Sequence, residues 1–334
     1  MSKKATAQFW DTAHRYLGHQ LKVIRQVSSH TIDSYRDCLN SFIDYLERVE
    51  NISRKKISFH NFGKETIKRY QTWMITEQGL APKTCNLRLT AIRSFLEYAA
   101  QEYLWLMPVY TDACTIAGVK TPNHAIEYFE PDEMTALLAA PSGTSRTDRR
   151  NQMMLIFLYD TAARVAEARQ VKVSDLHLDA GVPYVTLLGK GRKYRNIPLM
   201  EKTVLHLKRY LKDFHGSDPK TDLPLFYAKA HGLLHELSSD TFEKMIKRYA
   251  AQCREGGYPM PDRVHCHMIR KTRAMDLYRE GVPLPHIQQL LGHENISTTS
   301  GFYAFATLDV LAKAMEAVNP DNGVKSWSDP DILE

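Results

Sequence analysis

Cysteine is scarce in this chain of 334 residues: Cys38, Cys85, Cys114, Cys253 and Cys266 are five, an odd number, and none stands in a C-x-x-C pair. That spacing argues against a disulfide framework and leaves buried free thiols as the expectation. Long hydrophobic runs are missing as well. No stretch of about 18 apolar residues is present to span a bilayer, and the N-terminal MSKKATAQFW has no apolar segment of the kind that directs secretion. A cytoplasmic protein without a membrane segment is therefore expected. There is no low-complexity tract and no internal period, which excludes a solenoid. The phosphate-binding pattern G-x-x-x-x-G-K-[ST] is absent, and Gly189-Lys190-Gly191 is too short to replace it.

What is present is ordinary globular composition, 43% hydrophobic and 25% charged, in a chain long enough for two domains. The net charge of +6 is placed unevenly. Residues 1–120 carry 17 basic against 11 acidic side chains, so of the chain's 44 and 38 the remainder holds 27 of each. The segment after Met315 is acidic, which leaves a mild positive surplus in the stretch before it. A surplus spread over two lobes with an acidic tail fits a polyanion held between them.

In the N-terminal lobe, Ile32, Tyr35, Leu39, Phe42, Ile43 and Leu46 recur at helical spacing over 30–46, behind the candidate caps Ser28, Ser29 and Thr31. Further helices are expected over 8–23, 64–76 and 84–98, the last preceded by Pro82. On this last helix Lys83, Thr84, Asn86, Arg88 and Arg93 occupy polar positions. After Leu106 the pattern weakens, and residues 117–123 read as a linker, so a boundary is placed near residue 123, dividing 1–123 from 124–334.

Beyond it, Glu130-Pro131-Asp132-Glu133 opens a helix, and an apolar helix over 149–160 runs into Thr161-Ala162-Ala163-Arg164, with Glu167 one turn later. An arginine following a buried helix is expected to be held inward against an anion, either Glu167 or a ligand. Residues 184–188 and 194–197 read as strands joined by a glycine-rich turn bearing Lys190, with Lys193 its rival nearby. Helices over 201–212 and 239–253 lead to the stretch from Val264 to Tyr303. There His267 and Arg270 leave one face of a helix, a helix over 284–291 stops at Gly292 beside His293, and Tyr303 follows. Two histidines, an arginine and a tyrosine near helix ends point to a phosphate pocket with a hydroxyl nucleophile.

The order H-x-x-R, L-G-H, Y, preceded by the T-A-A-R-V-A-E block and the G-K-G hairpin, resembles the tyrosine site-specific recombinases, the phage integrase family. The likeness runs over about residues 28–310 and includes the Ser28, Thr31, Tyr35 block and the T-C-N-L-R-L-T-A-I-R stretch, which resemble that family's core-binding domain. It implies a mainly α fold with a small antiparallel β-sheet, as a two-domain C-shaped clamp: a helical, SAM-like core-binding domain and a mixed α/β catalytic domain. It implies a DNA strand transferase working through a 3′-phosphotyrosyl intermediate in integration, excision or resolution. Tyr303 would be the nucleophile, Arg164, Lys190, His267, Arg270 and His293 its catalytic partners, and Lys83, Thr84, Asn86, Arg88 and Arg93 the DNA contacts. The implied partners are double-stranded DNA with inverted-repeat core sites and three further copies, as a tetramer on two duplexes, with neither metal nor ATP as cofactor. In the family the segment after the tyrosine packs into a neighbouring protomer, and residues 307–315, with Leu308, Leu311, Ala312 and Met315 at helical spacing, match it.

Two departures and three rivals accompany the resemblance. Ala162-Ala163 stand where many members carry glycine and a larger apolar residue, so a less sharply turned backbone is expected there. No arm-binding domain is evident before residue 5, which favours a simple recombinase. His265, Cys266, His267, His293 and Cys253 lack zinc-ligand spacing; Cys266 is expected to face the core and His265 the solvent. A type IB topoisomerase-like enzyme would share the chemistry, but the core-binding lobe and L-G-H favour recombination. A non-catalytic DNA-binding regulator would not need the full set of candidate residues.

Overall fold

The computed structural model describes residues 3–122, 127–189, 193–216, 221–230 and 232–292. The chain divides into two compact units, Met1–His124 and Ala125–Glu334.

The N-terminal unit is all helical. Helix α1 (Lys3–Arg15) continues as a wider π-helical stretch to Ile24, a longer and less regular element than the periodicity over 8–23 implies. Helix α2 (Ser29–Arg48) begins where Ser28 accepts a hydrogen bond from the Thr31 amide at 3.2 Å, the N-cap anticipated from sequence. Helices α3 (Lys64–Thr76), α4 (Pro82–Glu102) and α5 (Met107–Cys114) complete the bundle. Its core is strongly aromatic: Phe42 meets Phe62 with centroids 4.8 Å apart and Tyr70 at 5.0 Å, both edge to face. The buried hydroxyls are satisfied, Tyr16 donating to Ser94 at 2.9 Å and Tyr70 to Ser41 at 2.8 Å. Ala91, Ala99 and Ala100 are buried on α4, where small side chains let neighbouring elements approach closely.

Helix α5 lies in the stretch after Leu106 where the sequence pattern fades. Its C-terminal end is held from outside: Arg93 of α4 donates to the Ala113 carbonyl at 3.1 Å and to that of Ile116. Asn86 clasps the next segment, accepting from the Val119 amide at 2.7 Å and donating to its carbonyl at 2.9 Å. Two of the residues read as DNA contacts thus also hold this unit together. Arg93 is engaged with this unit's own backbone because unpaired carbonyls at a helix end draw a nearby cation, and Asn86 because its amide pairs with both the N–H and the C=O of Val119. Lys83 is exposed, while Thr84 and Arg88 are half-buried.

In the second unit, α6 (Pro131–Ala139) is capped by Glu130, whose amide donates to the Glu133 carboxylate at 2.8 Å. Helix α7 (Arg146–Thr161) buries Met153, Met154, Leu155, Phe157 and Leu158, and short α8 (Val165–Gln170) follows. Strands β1 (Leu176–His177), β2 (Tyr184–Leu188) and β3 (Tyr194–Pro198) form an antiparallel sheet in that order, with Leu187 opposite Arg195 and Val185 opposite Ile197. Helix α9 (Glu201–His215) packs on α7. A second hairpin, β4 (Tyr227–Ala230) and β5 (Leu233–Glu236), is an addition to the elements expected from sequence. Helices α10 (Ser239–Glu255), α11 (Cys266–Arg279) and α12 (Leu284–Leu291) close the described part, α11 lying against α7. Ala162, Ala274, Met275, Ile287 and Leu291 form a small separate core that seats α12. Cys38, Cys85, Cys253 and Cys266 are buried free thiols, whereas Cys114 is exposed, a correction to the expectation for that residue. No described helix is long and apolar enough to cross a membrane.

Replacing Arg93 with alanine removes charge-assisted bonds to two carbonyls and is expected to destabilise the N-terminal unit by about 1–3 kcal/mol. Amide exchange in the last turn of α5 should quicken with it. An unchanged melting temperature alongside weakened DNA binding would make Arg93 a DNA contact instead of a cap.

Candidate active site

The site is built where α7 ends. Ala162 terminates that helix in the left-handed region, with φ +49° and ψ +29°. Contrary to the expectation of a gentler turn, alanine takes the sharp conformation itself, which costs an L-residue about 1–2 kcal/mol. Local bonds offset this: the Ala162 carbonyl accepts from Arg270 Nη1 at 2.7 Å, and the Ala163 amide donates to Thr161 Oγ1 at 3.2 Å. The turn aims Arg164 away from α7 and starts α8, which places Glu167 one turn on.

Glu167 is the centre of the arrangement and only 4% exposed. Its Oε1 accepts from Arg164 Nη1 and from Arg195 Nη1, each at 2.8 Å. Its Oε2 accepts from the Arg164 amide and from Arg195 Nη2, each at 2.7 Å, and lies 4.0 Å from Arg270 Nη1. Burial works to raise the carboxyl pKa, but the Arg195 fork and the Arg164 donors overcome it and hold it down, at about 2. The same three arginines take the C-terminal end of α12. Arg195 Nε donates to the Leu290 carbonyl at 3.0 Å, Arg270 to that of Leu291, and Arg164 Nη2, at a longer 3.5 Å, to that of Gly292. Cations at the negative end of a helix are favourable. Arg164 is the most accessible, its side chain 35% exposed against 13% for Arg195 and 2% for Arg270.

Helix α11 delivers His267 and Arg270 from its first turn, and Glu243 of α10 fixes that turn by accepting from the Cys266 amide at 3.2 Å. The Cys266 side chain is buried and His265 half-buried. His267 stays open to solvent on one side, yet its pKa is lowered to about 4, first by desolvation and then by the positive charges of Arg270, Lys271 and Arg164. Because the ring keeps contact with water, the repulsion among these cations is the part that an arriving anion would reverse. The structure therefore gathers Arg164 and Arg270 around Glu167, with His267 close enough to feel the charge of both arginines. Among the described residues no three His, Cys, Asp or Glu side chains are placed to hold a metal ion.

Residues 127–307 match the phage integrase family and residues 14–103 the phage integrase N-terminal SAM-like domain. The chain belongs to the phage integrase family. It is a tyrosine site-specific recombinase, an enzyme that acts on DNA. A putative integrase/recombinase, y4rC, of Sinorhizobium fredii is 30% identical over 310 residues, which cover 92% of this chain and 90% of that one. The tyrosine recombinase XerD of Halalkalibacterium halodurans is 33% identical over 285 residues, 84% of this chain and 89% of its own. Among solved structures, the XerH site-specific recombinase bound to a palindromic difH substrate in a post-cleavage complex shares the fold, with a TM-score of 0.67 at 20% identity over 88% of this chain and 82% of that one.

Of the recombinase residues singled out in the sequence, Lys190, His293 and Tyr303 lie outside the described residues, as does the segment 307–315. Gly189, before Lys190, donates its amide to the Lys193 carbonyl at 2.8 Å and closes the hairpin ladder. Lys193 is exposed. Arg195 escaped the sequence reading altogether. The signal available for it was alternation, since Arg195 shares a strand face with Ile197, which is core.

The pH dependence of the recombinase's stability follows from Glu167. A carboxyl at 4.5 in the unfolded chain and about 2 in the folded one stabilises the fold above pH 4.5, and that stabilisation is lost as pH falls toward 2. Glu167→Gln should lower stability at pH 7 by on the order of 3 kcal/mol, leaving the arginines uncompensated. It should also flatten the acid side of the stability profile. Denaturant melts from pH 2 to 7 check this, and equal acid slopes in the two proteins would contradict it.

Proposed function

We propose that this recombinase cuts and rejoins duplex DNA through a covalent link at Tyr303, so as to integrate, excise or resolve a DNA element. The observation that carries the reading is the convergence of Arg164 and Arg270, from distant segments, on one buried carboxylate, with His267, a neutral ring at pH 7, near both arginines. In the forward step the Tyr303 oxygen attacks phosphorus, the bond from phosphorus to the 5′-oxygen breaks, and a 3′-phosphotyrosyl ester remains. Arg164 and Arg270 bind the non-bridging oxygens, where planar forks suit the developing charge. Lys190 protonates the departing 5′-oxygen. His267, neutral at pH 7, accepts or relays the tyrosine proton, or orients the phosphate, and His293 donates a further hydrogen bond to it. Attack by the 5′-hydroxyl of another strand reverses the step without ATP, because the ester conserves the bond energy, and the chemistry calls for no metal cofactor.

Lys83, Thr84, Asn86, Arg88 and Arg93 on α4 are the proposed contacts to the duplex, whose core sites we take to be inverted repeats. The segment 307–315 is proposed to pack into a neighbouring protomer, giving a tetramer on two duplexes. A heterologous contact of this kind closes a ring.

Tyr303→Phe loses one hydroxyl and is expected to bind DNA with near-normal affinity while forming no covalent complex. Sequencing the DNA it retains would identify the target. A protease-sensitive adduct from this variant on denaturing gels would transfer the nucleophile to another residue. Deletion after Ala306 keeps Tyr303 but removes the segment proposed to make the ring contact: the truncated protein should keep single-site binding while losing recombination and the tetrameric complex together. Recombination at the full rate would show that the segment packs within its own protomer.

A further inference from the structure

Arg195 has no place in the chemistry proposed above, yet it is firmly anchored in the site. All three of its guanidinium nitrogens are used: Nη1 and Nη2 grip the two Glu167 oxygens at 2.8 and 2.7 Å, and Nε holds the Leu290 carbonyl at 3.0 Å. The chain makes room for it from two sides. A Cβ added at Gly189 would stand 3.3 Å from Nη1, and one at Gly292 would stand 3.1 Å from the same atom. Gly292 also has φ +61°, so a side chain there is opposed both by the backbone and by the arginine.

Arg195 joins three elements: β3, which carries it, α8 through Glu167, and the end of α12 through Leu290. The carboxylate it grips is the one that binds Arg164 through Oε1 and lies beside Arg270 through Oε2. We propose that Arg195 is a positioning residue of the recombinase, which fixes Glu167 in the plane and rotation that set Arg164 and Arg270 for the scissile phosphate. It touches neither substrate nor nucleophile and acts through Glu167. This rests on the phosphotyrosyl chemistry proposed above. A lysine would supply the charge, but a point charge cannot hold both oxygens and the carbonyl at once, so the fork geometry is what the role requires.

The test uses the full-length chain and a duplex enriched from a random library by the Tyr303→Phe protein. Single-turnover adduct formation is followed as a function of protein concentration for the wild type, Arg195→Lys and Arg195→Met, at a temperature where melts show each to be folded. Arg195→Lys, which keeps the charge, serves if Arg195→Met does not fold. Both variants should lose on the order of 10² in maximal rate, the effect of a small misplacement of catalytic groups, while half-saturation stays within about threefold. In a Glu167→Gln background the Arg195→Lys change should add little further loss, since the two residues act as a unit. A maximal rate in Arg195→Lys close to that of the wild type would overturn the role, because charge alone would then suffice. So would a loss confined to half-saturation, or full additivity with Glu167→Gln. Failure of the wild type itself to form an adduct would remove the phosphotyrosyl reading, and the role with it, whereas wild-type adduct with unimpaired variants removes the role alone.

Discussion

The site depends on the ability of one buried carboxylate to hold several cations in a small volume. Two like charges about 4 Å apart repel by roughly 4 kcal/mol at an effective dielectric near 20, and Arg164, Arg195 and Arg270 all approach Glu167. Without that carboxylate the three would separate or draw in water and counterions. With it, and with the carbonyl end of α12 adding partial negative charge, they settle in fixed orientations. The arginines hold Glu167 as an anion against the cost of its burial, while His267 is kept a neutral ring first by desolvation and then by the same positive charges.

How much of this was legible in the sequence depended on whether the information was local. Helices α2 and α3 could be read because their apolar residues recur at the helical period over several turns, and the stop of α12 because Gly292 supplies a positive φ. Arg164, His267 and Arg270 were found through the order of short motifs, and the structure brings the two arginines to one carboxylate with the histidine near both. Arg195, Arg93 and Asn86 follow a different logic. The partners of Arg195 and Arg93 lie between 20 and 95 residues away, and those of Asn86 33 residues away. No periodicity records such a bond. Helix α5 was hidden for the same reason, since its end is satisfied by a side chain of another helix. The β4–β5 hairpin is short and exposed on β5, so it lacks the alternation that marks a half-buried strand.

The two units reach stability by different means. The N-terminal bundle relies on interlocking aromatic rings around Phe42, Phe62, Phe95 and Tyr70, a rigid platform for the face of α4. The second unit adds more aliphatic and methionine side chains around α7 to a ring cluster of Tyr210, Phe214, Phe226 and Phe242, and sets a buried ionic group where that helix ends. An ionic site beside an apolar core keeps its geometry because neither region can shift without disturbing the other's packing.

Ala162 illustrates that dependence. A glycine would relieve the positive φ, but it would also withdraw a methyl group from the small core shared with Met275, Ile287 and Leu291, and it would widen the range of conformations open to the unfolded chain. Alanine narrows that range at the joint from which Arg164 departs. The strain is thus the counterpart of a stiff lever arm: the arginine inherits the orientation of α7 with little angular play, and α12 is seated on the same methyl that enforces it.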